Sequence, residues 1–311
     1  MKRSSPRHKL NVAPAWVRGI LAGMSVPENM MELDARVEWP ASPAEKMARL
    51  KDHVAGMRSV IVAFSAGVDS TFLAAIANEV LGSRALAVTA TSPSFPVREL
   101  EEAVQLAKSL GLNHRVIQSN ELANPDYANN PNNRCYHCKT ELYGLLRDIA
   151  DAENFARIVD GTNADDLKDH RPGRKAALEK RVESPLEELG FSKADIREAS
   201  RLMGLATSGK PAFSCLASRF PYGIEITREA LSNVERAENG LRDLGFTELR
   251  LRVHHDVARI ELPSEQIAMA AEPAMREKIT ALIKACGFLY VSLDLQGYRR
   301  GSLNEVFKKR L

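Results

Sequence analysis

Ser65-Ala66-Gly67-Val68-Asp69-Ser70 follows a short apolar run, Ser59 to Phe64, and precedes a helical pattern that begins at Thr71. Small residues at Ala66 and Gly67 let backbone N–H groups approach a pyrophosphate closely, and Ser65 and Ser70 add hydroxyl donors. The helix behind them adds its positive dipole end. Asp69 repels a phosphate, so its task in such a cradle is a Mg2+ ion bridging the phosphates. Alone, these six residues also describe a strand-to-helix turn with a Ser or Asp cap. Their place after the first strand of an alternating pattern favours the phosphate.

A second group is Asn133-Arg134-Cys135-Tyr136-His137-Cys138-Lys139. Two thiols at this spacing suit one metal or cluster, a redox pair, or two incidental cysteines at a helix start. No second C-x-x-C completes a zinc site. Cys215 sits in the small-residue stretch Lys210 to Gly223. Lys210 and Arg219 flank it and would stabilise its thiolate, unless it is a buried cysteine of a linker. In Glu248 to Leu262, alternation puts Leu249, Leu251 and Val253 on one face, and Arg250, Arg252 and His254 on the other. A turn near His255-Asp256 would bring Arg259 and Glu261 to the polar face. Such a cluster grips a phosphate or carboxylate, or is simply the wet side of an amphipathic hairpin. Cys286, at a helix end before Gly287, reads as packing, and the scattered histidines carry no signal.

The elements that must position these groups alternate. Strands are expected at Ser59–Phe64, Ala85–Ala90, His114–Gln118 and Arg157–Val159. One helix follows the phosphate turn. Another ends at Gly111 with Leu100, Val104, Ala107 and Leu110 at helical spacing, and a third covers Thr140 to Ala152. This pattern predicts an α/β fold, a doubly wound parallel sheet whose ligands sit at the carboxyl ends of the strands. Ser192 to Asp195 reads as a capping box. After the linker, the order helix (Thr227–Leu244), strand pair (Glu248–Leu262), helix (Ser264–Ala285) and strand (Phe288–Leu295) predicts a smaller C-terminal α+β domain. The expected organisation is a poorly ordered extension at 1–43, a nucleotide domain at 44–208, a cysteine-bearing loop at 209–225 and a substrate or oligomerisation domain at 226–311.

The whole chain fits that scheme. Its 311 residues suffice for one large or two modest cores, and 44% hydrophobic with 27% charged residues is ordinary for a globular protein. A net charge of +3 is too small to argue for nucleic acid, and the apolar runs are strand-sized, so no membrane span is expected. Four cysteines, two of them a C-x-x-C pair, point to a reducing compartment, the cytoplasm, rather than to disulfides.

The loop resembles the PP-loop signature S-G-G-x-D-S of ATP-pyrophosphatases, whose fold is of the adenine nucleotide alpha hydrolase-like type. The departure is Ala66, where Gly is usual, and a methyl group there is expected to require a negative φ. Over residues 45 to 305 the ordered set of motifs resembles the ATP-dependent sacrificial sulfur transferases of the LarE family. It comprises Phe64–Ser70, Asn133–Lys139, Asp160-Gly161-Thr162-Asn163-Ala164-Asp165-Asp166, Arg171-Pro172-Gly173, Lys210–Gly223, the Arg250/Arg252/Arg259 strands and Gln296-Gly297-Tyr298-Arg299. Ser208-Gly209, before Lys210, and His170 depart from the family's pattern.

The resemblance implies ATP and Mg2+, and adenylation of a carboxylate of pyridinium-3,5-dicarboxylate mononucleotide. Sulfur then displaces AMP to give a thiocarboxylate in nickel-pincer nucleotide biosynthesis. It implies Cys215 as sulfur donor and Cys135, Cys138 and Cys215 as ligands of a [4Fe-4S] cluster, the alternative being sacrifice of the Cys215 sulfur itself. By position, Ser65 to Ser70 would hold ATP, Asp69 the Mg2+, and Arg250, Arg252 and Arg259 the substrate phosphate. Asp165 and Asp166 would help hold Mg2+ or cap a helix. A homo-oligomer is expected, with no nucleic acid and no membrane partner. The rival reading is a tRNA-thiolating PP-loop enzyme with a [4Fe-4S] cluster.

Overall fold

The computed structural model describes residues 42–168, 172–212, 214–299, 301, 302 and 305. The expected extension up to residue 41, His170, Arg171 and Phe213 lie outside the described residues. Helix α1 (Pro43–Gly56) starts at a Ser42/Glu45 capping box. Strand β1 (Val60–Ala63), helix α2 (Val68–Leu81), β2 (Ala85–Thr91), α3 (Val97–Ser109) and β3 (His114–Gln118) follow. Next come α4 (Pro125–Ala128), α5 (Arg134–Glu153), β4 (Arg157–Val159), α6 (Gly173–Glu179), α7 (Pro185–Glu188) and α8 (Lys193–Leu202).

The four strands form one parallel sheet in the order β3-β2-β1-β4. Val60 of β1 is in register with Ala85 on one side and Arg157 on the other. The chain therefore winds outward from β1 to β3 and returns to the opposite side of β1 as β4. The order reverses between β1 and β4, the point at whose carboxyl side such sheets take their ligands. Val60, Ile61 and Val62 are buried on both faces of the sheet, as the continuous apolar run requires.

Helix details depart from the sequence expectation in two places. Val104 is exposed, and α3 buries Ala103 in its place beside the expected Ala107, because small side chains let this helix lie close to the sheet. The helix expected from Thr140 begins at Arg134, so Cys135 and Cys138 lie in its first two turns. Nothing between Arg134 and Thr140 interrupts a helix, and the C-x-x-C spacing aligns both thiols on one face.

Downstream, α9 (Arg228–Asp243) starts at the Thr227 cap and leads to β5 (Arg250–His254), β6 (Val257–Glu261), α10 (Ile267–Ala271), α11 (Pro273–Ala285) and β7 (Tyr290–Leu293). β5 and β6 form an antiparallel hairpin turning at His255 (φ 53°), and β7 pairs parallel with β6. The single helix expected over Ser264–Ala285 is broken at Glu272, held extended at ψ 139° by the proline that follows. Leu231, Val234 and Leu241 of α9 pack on Leu251 and Ile260 of the small sheet and Ile279 and Ile283 of α11. Both sheets belong to one compact unit. Among the described residues, no helix is long and apolar enough to cross a membrane.

Candidate active site

The phosphate loop leaves β1 at its carboxyl end, beside the reversal point. Gly67 caps α2 with an ordinary φ of −77°, whereas Ala66 carries the left-handed turn at φ 53°. This corrects the expectation of a negative φ at Ala66. Its methyl is fully buried in the core, and that packing offsets the roughly 1 kcal/mol of left-handed strain. The loop closes on itself. Ser65 N–H donates to Ser70 Oγ at 3.2 Å, the two hydroxyls lie 3.1 Å apart, and Ser70 Oγ donates to the Gly67 carbonyl at 3.3 Å. Gly161, just after β4, presses against the start of α2. A Cβ there would stand 2.9 Å from Ser70 N and 3.1 Å from the Asp69 carbonyl carbon.

Asp69, the residue expected to hold Mg2+, lies in the first turn of α2, and its carboxylate oxygens are of the chemistry that cation takes. Both are taken by the Lys193 ammonium, at 2.8 and 2.6 Å. The aspartates after β4 act on the backbone: Asp165 Oδ2 accepts from Lys193 N–H at 2.8 Å and Asp166 Oδ2 from Asn163 N–H at 3.2 Å. Asp160 is buried and accepts from Tyr143, Thr162 and Ser184. Burial alone would lower the Lys139 ammonium, but Tyr143 and Asp160 beside it outweigh that and hold it above its usual range.

The three cysteines converge from two elements. Cys135 and Cys138 open α5, and Cys215 precedes a short 3-10 turn, Leu216–Arg219. That turn docks on the loop that follows β2 at the carboxyl end of the sheet, where Leu216 N–H donates to the Ser94 carbonyl at 2.8 Å. Cys138 and Cys215 pack on the same apolar cluster, around Tyr127. Burial, then the charges of Glu121 and Cys215, push the Cys138 thiol well up. Glu121 itself is buried and accepts from Ser92 at 2.5 Å, Ser94 at 2.7 Å and Ser119 at 3.0 Å.

Among the described residues the Tyr127 hydroxyl, which is buried, has no hydrogen-bond partner. Ser94 is its nearest hydroxyl neighbour, and that hydroxyl is donated to Glu121. An orphaned phenol donor next to two sulfur atoms fits a site that holds an acceptor, such as an iron-sulfur cluster or a sulfur anion. Among the described residues, no three His, Cys, Asp or Glu side chains cluster tightly enough to share one ion.

The expected cation flank of Cys215 is only half realised. Lys210 turns away to Glu99 at 3.0 Å and Glu102 at 2.8 Å. Arg219 stays and donates to the Ser214 carbonyl at 2.7 Å and the Cys215 carbonyl at 2.9 Å. Its other nitrogens bind Glu238 at 2.9 Å in a buried ion pair. Arg252 and Arg259 face each other across the hairpin and share Glu261, each at 3.0 Å, while Arg252 also donates to the Ser218 carbonyl at 2.8 Å. Part of the hairpin's polar face is therefore dry: Arg252 and Glu261 are buried beneath the Cys215 turn, while His254 at its end stays exposed. No described carboxylate pairs with Arg250, which lies over the Tyr298 ring at 5.0 Å. Burial, then the neighbouring Arg219, pushes its guanidinium below the usual range. An anion there would relieve that charge.

Sequence reasoning missed Lys193, Glu121, Tyr127 and Glu238. Only Lys193 carried a signal, since a cation in the first turn of a helix opposes the helix dipole.

A phosphate loop at the reversal point of a parallel α/β sheet defines the PP-loop class of nucleotide enzymes, and the NAD synthase family model matches residues 44–140. Within that class the chain belongs to the LarE family. It is 37% identical over 270 residues to the pyridinium-3,5-bisthiocarboxylic acid mononucleotide synthase of Lactiplantibacillus plantarum, covering 86% of this chain and 97% of that protein. An uncharacterized Synechocystis protein is 47% identical over 264 residues (85% of this chain, 98% of the relative). One from Methanocaldococcus jannaschii is 30% identical over 258 residues (82% and 98%).

Proposed function

We propose that the chain is an ATP-dependent sulfurtransferase that converts a carboxylate of pyridinium-3,5-dicarboxylate mononucleotide to a thiocarboxylate, a step in nickel-pincer nucleotide biosynthesis. The observation that carries this reading is the Leu216–Ser94 hydrogen bond, which ties the Cys215 turn to the loop leaving the carboxyl end of β2, the strand beside β1 and its phosphate loop. A carboxylate oxygen is a poor leaving group. Attack of the carboxylate on the α-phosphorus of ATP expels pyrophosphate, and sulfur then displaces AMP from the acyl carbon. The loop N–H groups and the α2 N-terminus take up charge on the departing pyrophosphate. Asp69 would hold Mg2+, and Arg250, with Arg252 and Arg259 behind it, would receive the substrate phosphate.

Cys135, Cys138 and Cys215 would hold a [4Fe-4S] cluster through three thiolates. Such a cluster has one iron free to carry a sulfide. The unpartnered Tyr127 hydroxyl supports this donor set. A homo-oligomer belongs to the same reading, supported by Leu289, Tyr290 and Leu295 standing 61%, 64% and 85% exposed in and around edge strand β7.

Anaerobic purification with iron and sulfide analysis, followed by an ATP-to-AMP assay with the pyridinium dicarboxylate, tests the proposal. AMP should appear only with that substrate. Cys215→Ala is expected to release pyrophosphate and to lose sulfur transfer at least about a hundredfold. Undiminished transfer by that variant sinks the assignment. Repeated turnover with added sulfide supports the cluster, whereas one sulfur per chain with dehydroalanine at residue 215 defeats it.

A further inference from the structure

Lys193 is an odd residue for its position. It is the first residue of α8, where its charge opposes the helix dipole, and its ammonium spans both oxygens of Asp69 at 2.8 and 2.6 Å. Its backbone is fixed. Lys193 N–H donates to Asp165, and the Ser192/Asp195 capping box in front of it is tied to Lys46 at 2.7 Å. The four-carbon stem is the part that can swing. Asp69, for its part, is the second residue of α2, in the phosphate loop itself, with Gly161 packed against its back. With both carboxylate oxygens bound to the ammonium, a divalent cation reaches Asp69 only by displacing Lys193.

We infer that Lys193 is the cation that couples metal binding to nucleotide binding, shielding Asp69 while the loop is empty and moving to a phosphate oxygen when metal takes the carboxylate. This inference rests on the reading of the loop as an ATP site. Without nucleotide, an evicted ammonium is left unpaired at the positive end of α8, so metal alone binds poorly. With a triphosphate on the α2 N-terminus, the ammonium gains a stronger anion and the metal gains phosphate oxygens. Linkage then requires that nucleotide tighten metal and metal tighten nucleotide by the same factor. Lys193 is thus a positioning residue for the metal and a phosphate contact in the loaded site.

Mn2+ titrated into the full chain and followed by electron paramagnetic resonance, with and without α,β-methylene-ATP, reads this directly. In the wild type the analogue should tighten Mn2+ by about tenfold or more. In Lys193→Met, Mn2+ alone should bind several-fold tighter than to the wild type, and the analogue should tighten it by a smaller factor than in the wild type. A merely structural lysine would give the opposite sign. Lys193→Arg keeps the ion pair and should leave Mn2+ alone as weak as in the wild type, and it serves if the methionine variant does not fold. Mn2+ binding to Lys193→Met no tighter than to wild type overturns the inference, as does Mn2+ binding that survives Asp69→Asn unchanged. Failure of the analogue to bind the wild type by calorimetry removes the ATP reading and this inference together. Analogue binding with no lysine effect removes the inference alone.

Discussion

At Ala66, two small terms decide whether a methyl group is a defect. Left-handed backbone costs alanine about 1 kcal/mol more than glycine, and burying one methyl returns about 0.8 kcal/mol. Ala66→Gly is therefore expected to change stability by less than about 1 kcal/mol in urea titrations. Ala66→Val adds a β-branch at φ 53° inside a closed core and should cost more than about 2 kcal/mol. A glycine variant that stabilises strongly would show that the methyl packs poorly. Residue identity could not reveal the φ of this position, because the turn is imposed by where β1 ends and α2 begins. The partner of Lys193, unlike its odd place at a helix start, was hidden for a different reason. The lysine lies 124 residues from Asp69, and no local periodicity reports a contact so distant in sequence.

The strands were the most legible elements, since runs such as Val60–Val62 are buried on both faces and admit little else. β3 and β4 fall where the apolar runs place them, at His114–Gln118 and Arg157–Val159. The helix starts were less so. A box such as Ser192/Asp195 announces itself, whereas α5 starts at Asn133 with no side-chain cap and was expected too late. The meeting of β4 with α2 illustrates why close approach matters at this scale. A side chain at residue 161 would collide with backbone rather than with a flexible tip. Gly161→Ala should push the phosphate loop off β4 and weaken ATP binding by about tenfold or more, read by calorimetry, with the circular dichroism of the fold retained. Wild-type affinity in that variant would mean the loop can shift without consequence.

Across the molecule, the buried pair of Arg219 and Glu238 joins α9 to the Cys215 turn, and Glu238 also accepts from Leu251 N–H of β5 at 3.0 Å. Burial pushes the Glu238 carboxyl up, but Arg219 and the backbone bond more than compensate and hold it below its usual range. The folded value lies under the unfolded one, about 4.3. Its stabilising contribution is therefore complete above that pH and is lost as pH falls through the folded value. Glu238→Gln leaves Arg219 buried and unpaired, and should cost about 3–5 kcal/mol at neutral pH while flattening the acid limb of the stability curve. An unchanged acid limb would place the proton uptake elsewhere.

The single bond from Leu216 N–H to the Ser94 carbonyl has a use beyond holding the turn. That amide is shielded from deuterium only while the turn lies on the Ser94 loop. Its exchange rate therefore clocks how often the turn lifts away, residue by residue and without any substrate present.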